Sequence, residues 1–193
     1  MRLAVLSLII TAMLPSLCRA QVPVFEVTPV SSKIKFDVKA SVPIAGNFDK
    51  WDASLTFPST DVTSGVLDIK IEAASVNTGS SMKNNKLKSK DFFDVGQSPL
   101  ITFRSTKVVQ TGPTTFDVAG DFSIRGVSRS ETLTLAISGK GTGAGTINGT
   151  MAFDRKDYGM NSGIPFIKIA DRVEVTIDLK VKQISGPRVV YKQ

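Results

Sequence analysis

The sequence contains no histidine, and its only cysteine is Cys18, close to the N-terminus. Without histidine the chain cannot form a Ser-His triad, and it lacks the imidazole ligands of ordinary zinc and copper sites. A single cysteine cannot form an internal disulfide. No cofactor or metal ion is therefore predicted. Catalysis by carboxylates alone and a calcium site stay open, although the acidic residues show no clustering with ligand spacing.

Long apolar runs are also scarce, and the one that occurs is Leu3–Leu14, which follows a positive charge at Arg2. It has the length of a signal-peptide core and is too short to span a bilayer as a helix. Pro15 ends the run, and the small residues that follow predict cleavage before Gln21. A lipoprotein signal at Cys18 and an uncleaved membrane anchor are the two alternatives.

These features divide the chain into three parts. We predict a signal peptide over residues 1–20, one domain over residues 21–185 and a C-terminal tail over residues 186–193 that can fray. The signal peptide predicts export and a periplasmic location. A domain of this length can bury a core of ordinary size without disulfides.

The charge is basic, with 24 Lys and Arg against 17 Asp and Glu. Removing Arg2 and Arg19 with the signal peptide lowers the net charge from +7 to +5. Such an excess can favour anionic lipid surfaces or phosphate groups. The basic residues are scattered and no recognition motif accompanies them, so no nucleic-acid partner is predicted.

Alternation of apolar and polar residues is the main pattern in the rest of the sequence. In Arg172–Lys182 every second residue is Val, Ile or Leu and the residues between are polar, which is the pattern of a strand with one dry face and one wet face. The same pattern, or a shorter form of it, predicts strands at Lys33–Lys39, Trp51–Phe57, Val66–Glu72, Leu100–Arg104, Phe116–Ile124, Thr132–Ile137 and Thr146–Asp154.

About eight or nine such strands, each with one dry face, favour an all-β antiparallel barrel over a sandwich, because closure removes the edges of the sheet. Ser80–Lys90 breaks the pattern and predicts a short helix over one barrel end, capped by Ser80 or Ser81. Lys83, Lys86 and Lys90 would share one face of this helix. That face is either solvated or a weak patch for phosphate or a membrane surface.

Three motifs in fixed order connect the chain to a known family. They are LKSKDFFDVGQSPLITFRST, FDVAGDFSIRGVSRSETL and GTMAFDRKDYGMN, followed by a closing alternating strand. From Phe25 to Lys182 the chain resembles the YceI-like family of bacterial, often periplasmic, lipocalin-like proteins that bind polyisoprenoids. The resemblance implies an extended eight-stranded antiparallel barrel with a short helix near one end and a long apolar chain in its interior.

The chain departs from the family at three places. Ser31-Ser32 stands where members often have a His-Ser pair, a second histidine is missing near Ala40, and Lys83-Asn84 replaces an Arg-Asp pair. These differences bear on any head-group contact that depended on the missing residues.

The candidate ligand-binding residues are mostly aromatic or aliphatic side chains at inward positions, and phenylalanine is abundant at 11 residues. They form either the wall of an apolar tunnel or an ordinary packed core. The candidates are Phe36, Val38, Leu55, Phe57, Ile69, Phe92, Phe103, Phe122, Ile124, Leu135, Phe153 and Arg155.

Arg155 is the one charged candidate. Alternation from Phe153 turns Arg155 and Asp157 inward at the end of a strand, and an inward arginine needs an anionic partner. The guanidinium either pairs with Asp157 or a similar carboxylate at the barrel rim, or contacts a pyrophosphate or other polar head. Arg125, beside Gly126, is expected to fix a tight corner rather than to bind ligand.

The sequence therefore predicts a protein that binds a long apolar lipid, a polyisoprenoid or isoprenoid quinone, for carriage or storage in the cell envelope, and that is not an enzyme. Transient contact with a membrane surface is an accompanying expectation. One alternative is an isomerase or cyclase acting on a lipid in the same cavity. The other is an envelope stress protein with a filled barrel, which a cavity too narrow for a prenyl chain would favour.

Overall fold

The computed structural model describes residues 21–163 and 167–191, so the predicted signal peptide lies outside the described residues. Within them β-strands are the predominant secondary structure. The elements are β1 (Val24–Val27), β2 (Lys33–Ala40), β3 (Ile44–Phe48), β4 (Trp51–Thr56), β5 (Val66–Glu72), β6 (Val76–Asn77), α1 (Ser81–Lys88), β7 (Leu100–Gln110), β8 (Thr115–Ile124), β9 (Val127–Ser138), β10 (Ala144–Asp154) and β11 (Ile169–Ser185). Single turns of 3-10 helix lie at Pro29–Ser31, Val62–Ser64, Ala73–Ser75 and Arg155–Tyr158.

Eight of these strands close into an antiparallel barrel in the order β1-β4-β5-β7-β8-β9-β10-β11. The ring closes because β1 pairs with β11 on one side and with β4 on the other. Closure removes the two open edges that a sheet of this length would otherwise expose. The predicted all-β barrel with a short helix is confirmed, and the sandwich is excluded.

Three further strands extend this barrel at one end. The 17-residue β11 pairs with β1 near its C-terminus and with β2 along its first half. Strand β3 pairs with β2, and β6 pairs with β3, so these strands lengthen the wall beyond the ring. The sequence pattern missed β1, β3 and β6, because none of them is long enough, or apolar enough at every second residue, to show alternation.

The two barrel ends differ, and we name them by their loops. The mouth end carries α1, the β2–β3 turn at residues 41–43 and the β8–β9 turn at Arg125 and Gly126. The closed end carries the β9–β10 turn at residues 139–143 and the C-terminal tail at residues 187–191. Helix α1 begins where predicted, with the Ser80 hydroxyl accepting a hydrogen bond from the Lys83 amide.

The tail is held across the closed end. The Val190 amide donates to the Thr60 carbonyl at 2.7 Å, and the Val190 carbonyl accepts from the Val62 amide at 3.0 Å. The Tyr191 ring lies 6.2 Å from the ring of Phe116, and the ammonium of a lysine in the β9–β10 turn lies 4.2 Å from the Tyr191 ring centre. Residues 187–191 of the predicted tail therefore make specific contacts with the barrel.

Ser32 stabilises the break between β1 and β2. Its buried hydroxyl donates to the Thr28 carbonyl at 2.7 Å and accepts from the Lys180 amide on β11 at 2.8 Å. These two bonds let one long strand, β11, pair with two short strands in succession. Ser32, the second residue of the Ser31-Ser32 pair, thus contributes to the barrel wall.

Replacing Ser32 with alanine is expected to lower the free energy of unfolding by about 1–3 kcal/mol, because the Lys180 amide loses its buried acceptor. Urea denaturation of the purified mature protein measures this. The matched control is Ser54→Ala on the exposed face of β4, which should change stability by less than about 0.5 kcal/mol. Equal effects of the two variants would contradict the role given to Ser32.

Candidate functional site

The barrel interior contains an apolar cavity of about 70 Å³ directly behind the mouth end. Strands from both the ring and its extension line it, together with α1 and the loop after α1. Its wall residues are Ile34, Phe36, Val38, Ile44, Phe48, Ile71, Leu87, Phe92, Phe93, Ile101, Phe122, Ile124, Phe153, Arg155, Met160, Ile169, Val173 and Val175. Every one of these side chains except Arg155 is apolar.

A second, smaller cavity of about 30 Å³ lies deeper in the barrel. It shares five wall residues with the mouth cavity, so the two follow one another along the interior. We call it the middle cavity. It is lined by Ile34, Ile69, Ile71, Ile101, Thr102, Phe103, Phe122, Leu133, Met151, Val175 and Ile177.

The structure places nine of the twelve predicted ligand-binding residues on these two walls. Phe36, Val38, Phe92, Phe122, Ile124, Phe153 and Arg155 line the mouth cavity, and Ile69 and Phe103 line the middle cavity.

The other three, Leu55, Phe57 and Leu135, line neither cavity. Phe57 stacks on Phe25 with ring centres 5.4 Å apart, and Leu135 lies opposite Gly149 in the closed half. Alternation predicts the face on which a side chain lies but carries no information on its depth along the barrel.

Some wall residues had no sequence signal. Ile44 begins the short strand β3, Ile169 begins β11, and Met160 lies in the segment after β10 that has no regular structure. Each lies where the alternation starts or stops, so periodicity could not assign it. Their apolar character is the only feature that could have marked them.

Aromatic rings organise the mouth half in two groups. Phe36, Phe48 and Phe93 lie with ring centres 5.6–6.5 Å apart. Phe122, Phe153 and Tyr158 form the second group, with ring centres 5.0–5.4 Å apart and both tyrosine contacts edge-to-face. These are the tilted geometries that aromatic pairs prefer.

Tyr158 is fully buried, and its hydroxyl donates to the Glu131 carboxylate at 2.8 Å. Burial, reinforced by the hydrogen bond to Glu131, raises the pKa of Tyr158 well above its ordinary value. The phenol is therefore neutral at physiological pH and acts as a hydrogen-bond donor that anchors the segment after β10 to β9. It is a structural group of the wall.

Arg155 is 6% exposed, and its guanidinium joins the ends of two segments. It donates to the Met160 carbonyl, to the Ser162 carbonyl at 3.1 Å and to the Ala170 carbonyl at 3.2 Å. Its Nη2 also pairs with the Asp171 carboxylate at 3.0 Å. Lys156, aided by Arg155, holds the pKa of Asp171 below its usual range.

The predicted pairing of Arg155 with Asp157 is wrong. Strand β10 ends at Asp154 and a 3-10 turn begins at Arg155, so alternation no longer applies to residue 157. The exposed Asp157 lies instead 4.0 Å from Arg129. The rim ion pair expected in general terms exists, with Asp171 as the partner, and it leaves the guanidinium few donors for a lipid head group.

Arg125 fixes a corner, as predicted. It has a positive φ of 55° beside Gly126 at 74°, and its Nη2 donates to the Lys90 carbonyl at 2.9 Å. This bond ties the β8–β9 turn to the segment that follows α1.

The three lysines predicted on one helical face do not form a patch. Lys83 donates to the Pro43 carbonyl at 3.0 Å, Lys86 pairs with Asp91 at 2.6 Å, and Lys90 lies beyond the end of α1. Asn84, where the family often has an acidic residue, accepts hydrogen bonds from the amide and hydroxyl of Thr78.

Neither a metal-ligand cluster nor a membrane-spanning helix occurs among the described residues. Residues 21–163 and 167–191 contain no group of three or more acidic, cysteine or histidine side chains that could hold a metal ion. In the same described part, no helix has both the length and the apolar character needed to cross a membrane.

Replacing Arg155 with methionine is expected to lower the free energy of unfolding by about 2–3 kcal/mol, since several charge-assisted hydrogen bonds are lost. Arg155→Lys should recover little of this, because an ammonium lacks the planar fork of a guanidinium. Thermal and urea denaturation measure both variants. Arg172→Met, whose side chain is 70% exposed, is the matched control, and an effect of equal size there would contradict the clamp assigned to Arg155.

Comparison with known proteins agrees with this geometry. The model of the YceI-like domain matches residues 25–181. A UPF0312 protein of Pseudomonas syringae pv. tomato is 29% identical over 141 residues, covering 70% of this chain and 72% of the relative. A UPF0312 protein of Pseudomonas savastanoi pv. phaseolicola is 30% identical over 134 residues, covering 66% and 69%.

Solved structures show the same fold. Burkholderia cenocepacia BcnA is 26% identical with a TM-score of 0.73, covering 80% of this chain and 99% of that chain. A polyisoprenoid binding domain from Saccharophagus degradans, implicated in plant cell wall breakdown, has a TM-score of 0.67 at 16% identity, covering 83% and 99%. Together with the family match over most of its length, these findings show that the chain belongs to the YceI-like domain family.

Proposed function

We propose that this protein binds the apolar chain of a lipid, a polyisoprenoid or an isoprenoid quinone, inside the mouth half of its barrel. The observation that carries the proposal is the mouth cavity, whose wall is apolar at every position except Arg155. Burial of each methyl or methylene group against such a wall contributes about 0.8 kcal/mol. The polyisoprenoid binding domain of Saccharophagus degradans, which shares the fold, supports this class of ligand.

The size of the cavities sets a condition on binding. At about 12 Å³ for each water-sized group, the mouth cavity of about 70 Å³ holds roughly six such groups. That is close to one isoprene unit of five carbons. A longer chain therefore enters only if the rings of Phe36 and Phe93 and the side chain of Met160 move outward. The same small volume favours the second candidate function, an envelope stress protein with a filled barrel.

The wall of the mouth cavity supports binding of a lipid rather than a reaction of the lipid. Among the described residues, Arg155 is the one charged side chain on the mouth cavity, and its donors are engaged with backbone carbonyls and Asp171. Tyr158 donates to Glu131 rather than into the cavity. The described wall therefore offers no side chain that could exchange a proton with a buried lipid. This weighs against an isomerase or cyclase.

We further propose that carriage or storage takes place in the cell envelope after export, with transient contact between the mouth end and an anionic membrane surface. Met82 on α1 is 80% exposed and Val42 is 44% exposed, and the bond from Lys83 to Pro43 holds their two segments together.

Charge supports the same contact. Lys88, Lys90 and Lys168 lie at this end, and none has a carboxylate within 4.0 Å in the described part of the chain. Each lysine near an anionic surface contributes about 1 kcal/mol.

Mass spectrometry of organic extracts is expected to recover stoichiometric isoprenoid lipid from mature protein produced in a lipid-replete host. Val173→Phe on the cavity wall should reduce the bound lipid at least tenfold, because the added ring fills the cavity. Val109→Phe on the exposed face of β7 is the matched control and should retain the lipid. Recovery of no lipid from any of the three proteins would favour the filled barrel.

The membrane contact predicts co-sedimentation with vesicles containing phosphatidylglycerol and little with pure phosphatidylcholine. Met82→Asp, and Lys88→Glu combined with Lys90→Glu, should each weaken sedimentation at least tenfold. Val30→Asp is the control, since Val30 is 95% exposed but lies on the turn between β1 and β2. Equal loss in all three variants, or binding indifferent to lipid charge, would contradict the proposed surface.

A further inference from the structure

The barrel interior is interrupted between its two ends. The mouth and middle cavities lie behind the mouth end, and a separate pocket of about 130 Å³ at the closed end is lined by Phe25, the β9–β10 turn and the C-terminal tail. Deeper in the barrel lie four side chains that are only 0–2% exposed, and we name them the floor. They are Phe116, Val118, Leu133 and Leu179.

The strand register places these side chains across the barrel. Val118 on β8 lies opposite Leu133 on β9, and Leu179 on β11 lies opposite Ile147 on β10. Leu133 is also the deepest β9 residue on the wall of the middle cavity, so the floor begins where that cavity ends.

A glycine beside the floor, Gly149, provides no opening. A Cβ at Gly149 would lie 2.6 Å from Ile177 and 2.7 Å from Leu135, so those side chains already occupy the space beside the glycine. The residue that could have left a gap in the wall is therefore covered by its neighbours across both strands. Dense packing of this kind resists displacement, because every shifted atom loses contacts.

The depth above the floor can be read from β8. Ile124 on the wall of the mouth cavity and Val118 on the floor are six positions apart along β8. These six positions span about 20 Å along the strand. A barrel tilt of about 40° reduces this to a depth of roughly 15 Å. An isoprene unit adds four chain bonds of about 1.5 Å each, or roughly 5 Å when extended.

We infer that the floor is the chain-length determinant of this protein and that the ligand is a short prenyl chain of about three isoprene units. The inference rests on the proposed lipid-binding function and specifies its ligand. A longer chain would leave its remaining units outside the mouth end, where water opposes their exposure.

The test compares prenyl alcohols of one chemistry and different length. Geraniol, farnesol, geranylgeraniol and solanesol have two, three, four and nine isoprene units, and each displaces a fluorescent apolar dye from the mature protein. We expect affinity to rise from geraniol to farnesol and to change little from farnesol to geranylgeraniol. Solanesol is expected to bind no more tightly than geranylgeraniol.

Variants that enlarge the space at the floor should allow a longer prenyl chain to bind. Leu133→Ala, alone and with Leu179→Ala, is expected to tighten solanesol binding at least tenfold relative to geranylgeraniol. Val62→Ala is the matched control, since it removes buried apolar volume from a 3-10 turn outside both cavities and should leave the length preference unchanged.

A reciprocal variant keeps the test decisive if the floor variants fail to fold. Val175→Phe narrows the interior above the floor, at a residue shared by both cavities. This variant should weaken the binding of geranylgeraniol at least tenfold, while geraniol still binds.

The outcomes separate the two proposals. Binding of solanesol at least tenfold tighter than geranylgeraniol by the unmodified protein would overturn the floor and leave lipid binding intact. So would a length preference that the floor variants and Val175→Phe leave unchanged. Binding of none of the alcohols would overturn the proposed lipid function and the floor with it.

Discussion

The pairing of β11 with its neighbours is the constraint on which the rest of the structure depends. This strand pairs with β10 along one edge, and its other edge is shared between β2 and β1. The ring closes only because the short strand β1 also pairs with β4, where Val24 lies opposite Thr56. Without that bridge, β4 and β11 would present open edges, and the apolar interior would lie in a curled sheet accessible to water.

Closure of the ring explains why the backbone groups at the break between β1 and β2 have hydrogen-bond partners. A single strand cannot follow both the ring and its extension, so the chain turns at Pro29–Ser31 and resumes on the other part of β11. The hydroxyl of Ser32 makes both of the hydrogen bonds that this change of direction requires. The hydroxyl of Ser32 therefore serves the topology of the barrel.

The same use of polar groups recurs at the mouth. Arg155, Tyr158 and Asp171 are the groups with the chemistry to contact a head group, and each is engaged in holding the segment after β10 against the barrel. The cavity behind them offers apolar contact alone.

Most of the barrel could be predicted from the sequence, because a strand with one dry face requires alternation and Val66–Glu72 or Arg172–Lys182 display it directly. Nine of the twelve candidate residues lie on the cavity walls. Alternation fails where a regular strand ends. It predicts that Asp157 pairs with Arg155, although strand β10 ends at Asp154 and a 3-10 turn follows. Periodicity is a local property, and it cannot report a change of conformation that long-range contacts impose.

Depth along the barrel was decided by tertiary structure alone. Phe57 and Leu135 alternate inward as regularly as Phe36, yet only Phe36 lines a cavity. Whether an inward side chain borders open space or packs solidly depends on the residues opposite it, and those are set by strand register. The sequence by itself determined the family, the barrel and its apolar interior. The register and the closure of the ring decided where that interior is open and where it ends.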